Sequence, residues 1–277
     1  MRLYKHHGLG NDFLVTFVDD LPDSPGVLAR QLCDRRTGVG ADGLLFGLPG
    51  SGSNDLKMVL FNADGSRPEM SVNGIRCLAH AHSRRLLLGG VKIQIETDGG
   101  LREVEADGDG NAISASVDMG TVGDGPGVAE ALQDSLSGSL AATADVGNPH
   151  LVVCVPDLSE VDVVAAGSAY EAHYSEGMNV EFICKAQENA DVIDLLVWER
   201  GVGVTRACGT GAVAAATRAY DWGLVGKQVT VRMPGGEVSV HVGERALLIG
   251  PSTVSYTHLR AHETREDRVW RRVREKK

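Results

Sequence analysis

The stretch "WERGVGVTRACGTGAVAAATRAYDWGLVG", residues 198–226, closes an apolar strand, turns through glycines and opens a helix. From Gly209 onward it is small and apolar on most faces, the pattern of a central, buried helix. Gly223 marks its exit. An earlier stretch, "EMSVNGIRCLAHAHSRRLLLGG", residues 69–90, repeats the device, with its exit expected at Gly89-Gly90. The register agrees too. Asn62, ending the strand "KMVLFN", stands nine residues before Ser71, and Glu199, ending "DLLVWE", stands nine before Cys208. Chance likeness of two common strand-loop-helix units leaves that register unexplained. An internal duplication, giving two pseudo-symmetric domains, accounts for it.

The rest of the chain reads as short strands flanked by "DG" and "GG" hairpin signals, among them "VKIQIETDGG", "HLVVCVPD", "NVEFI" and "QVTVRMPGGEVSVHV". Helical patterns interrupt them at about 25–35, 74–88, 158–168 and 209–222. The fold class is therefore mixed α/β (α+β), with too many hairpins for a purely parallel sheet. Residues 121–147, rich in Gly, Ser and Ala, read as a loose insertion between the halves. The expected domains are 1–119 and 120–256, followed by an atypical basic tail, 257–277.

Composition narrows the class. The chain has 277 residues, 43 % hydrophobic and 23 % charged, as in a globular protein. No apolar run reaches the roughly 18 residues of a membrane span, so no membrane partner is expected. "MRLYKHHGLGNDF" lacks the apolar core of a signal peptide, and cytoplasmic residence is the expectation. A net charge of −10 argues against nucleic acid as a partner. Thr257–Lys277 holds eight basic and four acidic residues, so the body alone is at −14. Five scattered cysteines without a C-x-x-C pair fit neither a disulfide framework nor a zinc site. Most should be buried small apolar groups.

Cys208 differs, because it heads a helix. There it meets unpaired backbone N–H groups and the positive end of the dipole, a setting expected to bring a thiol from about 8.5 toward neutrality. Gly209 and Gly211 let backbone approach an anion such as a carboxylate. Glu199 and Arg200, adjacent at a strand end, point to opposite sides, one suited to an ammonium and the other to a carboxylate. Asn11, Asn62, Asn148 and Asn179 sit at strand edges, as turn residues or as the lining of one polar pocket for a zwitterion. His150, after Asn148-Pro149, is structural, a base, or the group that tunes one. "GVGADG", residues 38–43, fits a dinucleotide-binding pattern but neither follows a strand nor opens a helix, so that reading fails. No phosphate loop, metal cluster or pyridoxal-phosphate lysine motif appears, and neither cofactor nor metal is expected.

Together, "HGLGNDF" (7–13), "GVGADGLL" (38–45), "FNADGS" (61–66), "NGIRCLA" (73–79), "GNPH" (147–150), "GMNVEF" (177–182) and "ERGVG-T-ACGTGA" (199–212) resemble diaminopimelate epimerase, in the family's order and over residues 1 to about 256. The resemblance implies two domains, each a curved, mostly antiparallel sheet or barrel around a central helix, with the site in the cleft between them. A short final strand would return to the first domain. It implies interconversion of LL- and meso-diaminopimelate, without a cofactor, by two groups on opposite faces of the α-carbon. One group removes the proton and the other returns one, while helix N-termini stabilise the enediolate. Cys208 would be one of the two. Asn11, Asn62, Asn73, Asn148, Asn179, Arg200, Gly209 and Thr210 would bind the amino-acid substrate. His150 and Glu199 would tune the bases and hold the ammonium. A homodimer is implied as well.

The chain departs from that family at the first half-site. Where the family reads C-G-N-G-x-R-C, this chain has S-V-N-G-I-R-C. Ser71 thus takes the position of the other catalytic cysteine, and Val72 replaces a glycine at the carboxylate turn. A hydroxyl is a far weaker acid than a thiol and a poor base at pH 7. It is less handicapped as a donor to a carbanion. Cys77 lies about 600° further round a helix, some 120° away from residue 71, and reads as core. The alternatives are a related racemase or dehydratase using Cys208 alone, and an impaired amino-acid-binding relative. The tail has no counterpart in the family and reads as an appended, non-native segment.

Overall fold

A computed structural model describes residues 1–260. The basic tail expected over 257–277 lies outside the described residues from 261 onward. In the first half, β1 (Arg2–Gly8), β2 (Asn11–Phe17), β3 (Gly43–Pro49), β4 (Leu56–Asn62), β5 (Val91–Thr97), β6 (Gly100–Asp107) and β7 (Ala112–Gly120) lie side by side in chain order. Helix α1 (Pro25–Cys33) links β2 to β3, and α2 (Val72–Leu86) links β4 to β5. Both linked pairs are parallel and the other neighbours antiparallel. A parallel pair needs a long crossover, which each helix supplies.

The second half repeats the plan. Its strands are β8 (Leu140–Asp145), β9 (Pro149–Cys154), β10 (Asn179–Lys185), β11 (Val192–Glu199), the short β12 (Gly203–Thr205), β13 (Gln228–Met233) and β14 (Gly236–His241). Here α3 (Val163–Glu171) crosses between parallel β9 and β10, and α4 (Gly209–Asp221) between parallel β11 and β13. The duplication seen as a spacing match in the sequence is thus a topological repeat, to which the second half adds the short β12.

One strand joins the halves. β15 (Ala246–Arg260) pairs with β14 and β7 along its first part and with β1 further on. It closes β1 to β7 into an eight-stranded barrel, and the sheet continues through β14 into the second half. There a single bridge, Gly123 to Asp145, ties the segment after β7 to β8.

The central helices fill these curved sheets. Ile75, Leu78, Ala79 and Ala81 of α2 are fully buried, as are Ala212, Val213, Ala214, Ala215, Ala216 and Ala219 of α4. Burying Ile75 or Leu78 is worth roughly 1.5–3 kcal/mol each. The alanines leave room for strands to wrap α4 closely. α1 and α3 pack outside: Ala29 and Cys33 of α1 cluster with Leu14 and Phe46, and α3 lies over Leu151, Val180 and Phe182.

Two expectations are corrected. Residues 121–147 are no loose insertion: they contain a helical turn, Glu130–Leu132, and β8, and Leu132 and Leu136 are buried in the outer cluster with Phe182. Val128, Leu132 and Leu136, spaced among small residues, anchor a segment whose composition suggested a linker. The second concerns the exit of α2, which is not a glycine. Leu87, with φ of 55°, takes the left-handed cap and its N–H bonds Arg84 O, while Gly89 and Gly90 lie beyond. α4 ends as expected, at Gly223 with φ of 71°. Of the cysteines, Cys33, Cys77 and Cys208 are buried and Cys154 and Cys184 half-buried.

Candidate active site

Ser71 and Cys208 each cap a central helix in the same way. Both have extended backbones, φ −134° and −123°, and each accepts a hydrogen bond three residues on. Gly74 N–H donates to Ser71 Oγ at 3.0 Å, and Gly211 N–H donates to Cys208 Sγ at 3.4 Å. This is the N-cap bond that Ser makes routinely, here repeated by a thiol. The two helix ends meet: a Cβ placed on Gly209 would lie 2.5 Å from Val72 Cβ, so only glycine lets α4 approach α2 this closely. The unpaired N–H groups of both first turns therefore lie around one place, which is suited to an anion.

That place opens into a cleft of about 1040 Å³ with walls from both halves of the chain. Of the residues expected at the site, eleven line it: Ser71, Cys208, Asn11, Asn62, Asn73, Asn148, Asn179, Glu199, Arg200, Gly209 and Thr210. His150 does not; it is fully buried behind Asn148. Asn62 and Glu199 end β4 and β11 and face the cleft as counterparts.

The polar groups of the first half form a directed chain. Buried Arg76, an obligate donor, gives Nη2–H to Asn73 Oδ1 at 2.6 Å. Asn73 then donates to Asn11 Oδ1 at 3.3 Å, and Asn11 to Asp42 Oδ2 at 2.9 Å. With a guanidinium at one end and a carboxylate at the other, both amides have a fixed orientation. In the second half, Asn179 donates to Pro149 O and accepts from Arg200 N–H, and Arg200 Nη1 reaches Glu176 O at 3.0 Å. Glu199 accepts a short bond from Thr205. His150 is held between Asn148 Oδ1 at 3.0 Å and Glu181 Oε1 at 2.7 Å.

The electrostatics correct the reading of Cys208. Its thiol is pushed well up, not down: burial is the largest cause, and the charges of Glu199 and Glu181 add to it. The bonds from Thr210 and Gly211 N–H pull the other way without prevailing. Helix-dipole reasoning took no account of the carboxylates on neighbouring strands: Glu199, expected to tune the bases, and Glu181, not expected at the site, both raise the thiol. Glu199 is itself raised by burial, with Thr205 opposing, Glu181 adding and His150 opposing. Cys77 is fully buried in the core, where burial pushes its thiol up to about 12.

A family model described as diaminopimelate epimerase matches residues 3–123 and 142–253. The chain belongs to the diaminopimelate epimerase family. It is 42 % identical over 251 residues to the diaminopimelate epimerase of Desulforudis audaxviator, covering 85 % of this chain and 89 % of that protein. To the enzyme of the same name from Synechococcus elongatus it is 38 % identical, covering 91 % and 95 %. More distant solved structures share the fold. A phenazine biosynthesis protein of the PhzF family from Bacillus anthracis superposes with a TM-score of 0.70 at 15 % identity, covering 94 % and 99 %. A hydroxyproline epimerase from Agrobacterium vitis gives 0.65 at 18 %, covering 93 % and 89 %.

Within this epimerase frame, three residues escaped the sequence reading. Glu181 was readable only as a carboxylate inside the apolar run "NVEFI", and Arg76 as a charge between the apolar Ile75 and Cys77. Arg102 of β6 lines the cleft, and its buried Nε has no hydrogen-bond partner among the described residues. Nothing in "GLREVEAD" marks it. No helix among the described residues is long and apolar enough to cross a membrane.

Proposed function

We propose that this chain, an isomerase by family, interconverts LL- and meso-diaminopimelate, with Ser71 and Cys208 serving the two faces of the α-carbon. One observation carries the reading: two helix N-caps of matching conformation, in one cleft, with their first turns in contact. The substrate carboxylate fits between the helix ends, where N–H groups offset the charge that builds as the α-C–H bond breaks. The ammonium fits Glu199, and the distal polar end fits the Asn-rich wall and Arg200. When the α-proton leaves to Ser71 Oγ, the hydroxyl having first given its own proton to solvent, the electron pair of the broken C–H bond enters the carboxylate as an enediolate. Cys208, held as thiol, then gives its S–H proton to the other face of the carbon, completing inversion. The Ser71 hydroxyl makes abstraction on its side slow. Cytoplasmic residence, a homodimer and a place in lysine and peptidoglycan precursor synthesis belong to the same proposal, on the strength of the family.

Incubation with LL-diaminopimelate in D2O tests it. Deuterium should enter at the α-carbon with slow inversion, and Cys208→Ala should lose activity by about 10²–10⁴-fold. Full activity in Cys208→Ala sinks the mechanism. The hydroxyl at residue 71 favours one second reading, in which Cys208 works alone; exchange without inversion would select it.

A further inference from the structure

Glu181 lies mid-strand in β10 and is fully buried. Its neighbours Val180 and Phe182 point to the outer cluster under α3, so strand alternation turns Glu181 inward, toward α4. Oε1 meets His150 Nδ1 at 2.7 Å, and Oε2 has no hydrogen-bond partner among the described residues. A buried carboxylate oxygen without a partner is costly and asks for a reason.

Its position on α4 suggests one. A Cβ built on Gly211 would lie 2.6 Å from Glu181 Oε1 and 3.3 Å from Cys208 Sγ. Carboxylate and thiol therefore face each other across a spot where α4 carries no side chain. Two anions face Cys208, Glu181 from β10 and Glu199 from β11, while Thr210 and Gly211 N–H meet it from its own helix. The two anions differ in access. Glu199 lines the cleft, where a ligand's ammonium can reach it; Glu181 is sealed behind, facing His150 of β9.

We propose that Glu181 is a positioning residue for Cys208. Its charge, anchored by His150 and open to the thiol through Gly211, keeps Cys208 in the proton-donating form, and its bond to His150 sets the ring that orients Asn148. The inference rests on the acid–base role given to Cys208 above.

The test titrates the Cys208 thiolate by ultraviolet absorbance, as the difference between each protein and its Cys208→Ala partner. Glu181→Gln retains the acceptor for His150 and removes the charge. It should lower the midpoint by about one pH unit or more, and raise alkylation of Cys208 by iodoacetamide about tenfold at a fixed lower pH. Glu181→Asp retains the charge and should titrate like the wild type. Gly211→Ala, whose methyl group displaces the carboxylate, is the second variant and should lower the midpoint as well. An unmoved midpoint in folded Glu181→Gln overturns the inference. So does a wild-type midpoint at the ordinary value of about 8.5, whether or not that variant folds. Turnover is assayed separately: a fully active Cys208→Ala defeats the reading of Cys208, whereas an unmoved midpoint in an active enzyme defeats only the role of Glu181.

Discussion

At the scale of single residues, the oxygen-for-sulfur difference at residue 71 is the sharpest feature of the site. Ser71 and Cys208 make the same cap bond, so local geometry gives no reason for the difference; acidity does. Ser71→Cys should therefore raise inversion of LL-diaminopimelate by about 10²-fold or more, read by stereochemical assay, with little change in thermal stability. Most of the cleft was legible at this scale, because Asn, Glu and Arg at the ends of apolar strands have little reason to be there unless they line something. The state of Cys208 was not. Its thiol answers to Glu199, nine residues earlier, and to Glu181 on the next strand, and both act through space.

At the scale of elements, the contact between α2 and α4 depends on one missing side chain. Gly209→Ala should cost about 1–3 kcal/mol in chemical denaturation, because its methyl group would collide with Val72. Adding Val72→Gly should return part of that loss, so the two changes will not be additive. The exit of α2 is a second strained point. Leu87 is 83 % exposed and left-handed. Leu87→Gly should stabilise the protein by about 1 kcal/mol, measured the same way. The central helices were legible from runs of small and apolar residues, and the start of α4 from Cys208; α2 starts at Val72, capped by Ser71, two residues before the expected 74. Which residue would take the left-handed exit was not legible, since Leu87 precedes two glycines that would accept that conformation more readily.

At the scale of the whole molecule, the interior of the first barrel is sensitive to acid. His6 is fully buried, neither ring nitrogen has a hydrogen-bond partner among the described residues, and its ring packs edge-on against His80. Burial, with the charges of His80, Arg84 and His7 adding, lowers its pKa to about 3 from 6.5. His80 and His82 are lowered too, chiefly by burial. The unfolded chain therefore takes up protons below about pH 6.5 that the folded one refuses until near pH 3. That stability is present above pH 6.5 and is lost as pH falls through this window. His6→Phe should remove its share, about 2 kcal/mol of the loss between pH 7 and pH 5, and flatten the fall of the melting temperature over that range. Two pseudo-symmetric halves were legible from the matched spacing of Asn62 to Ser71 and Glu199 to Cys208. The return of the last strand to the first half followed from the family resemblance alone and is borne out by the pairing of β15 with β1 and β7; that pairing joins opposite ends of the chain and leaves no local signal of its own in "GPSTVSY".

That shared strand also orders events during synthesis. Strands β1 to β7 leave the ribosome early, yet their ring stays open until the residues from Ala246 onward are made. Throughout that interval the first half presents two unpaired edges, β1 and β7, and an α2 whose inner face lacks one of its walls. Open edges of this kind invite pairing with other chains. The second half must therefore be completed promptly, or a chaperone must shield the first, for the newly made protein to escape aggregation.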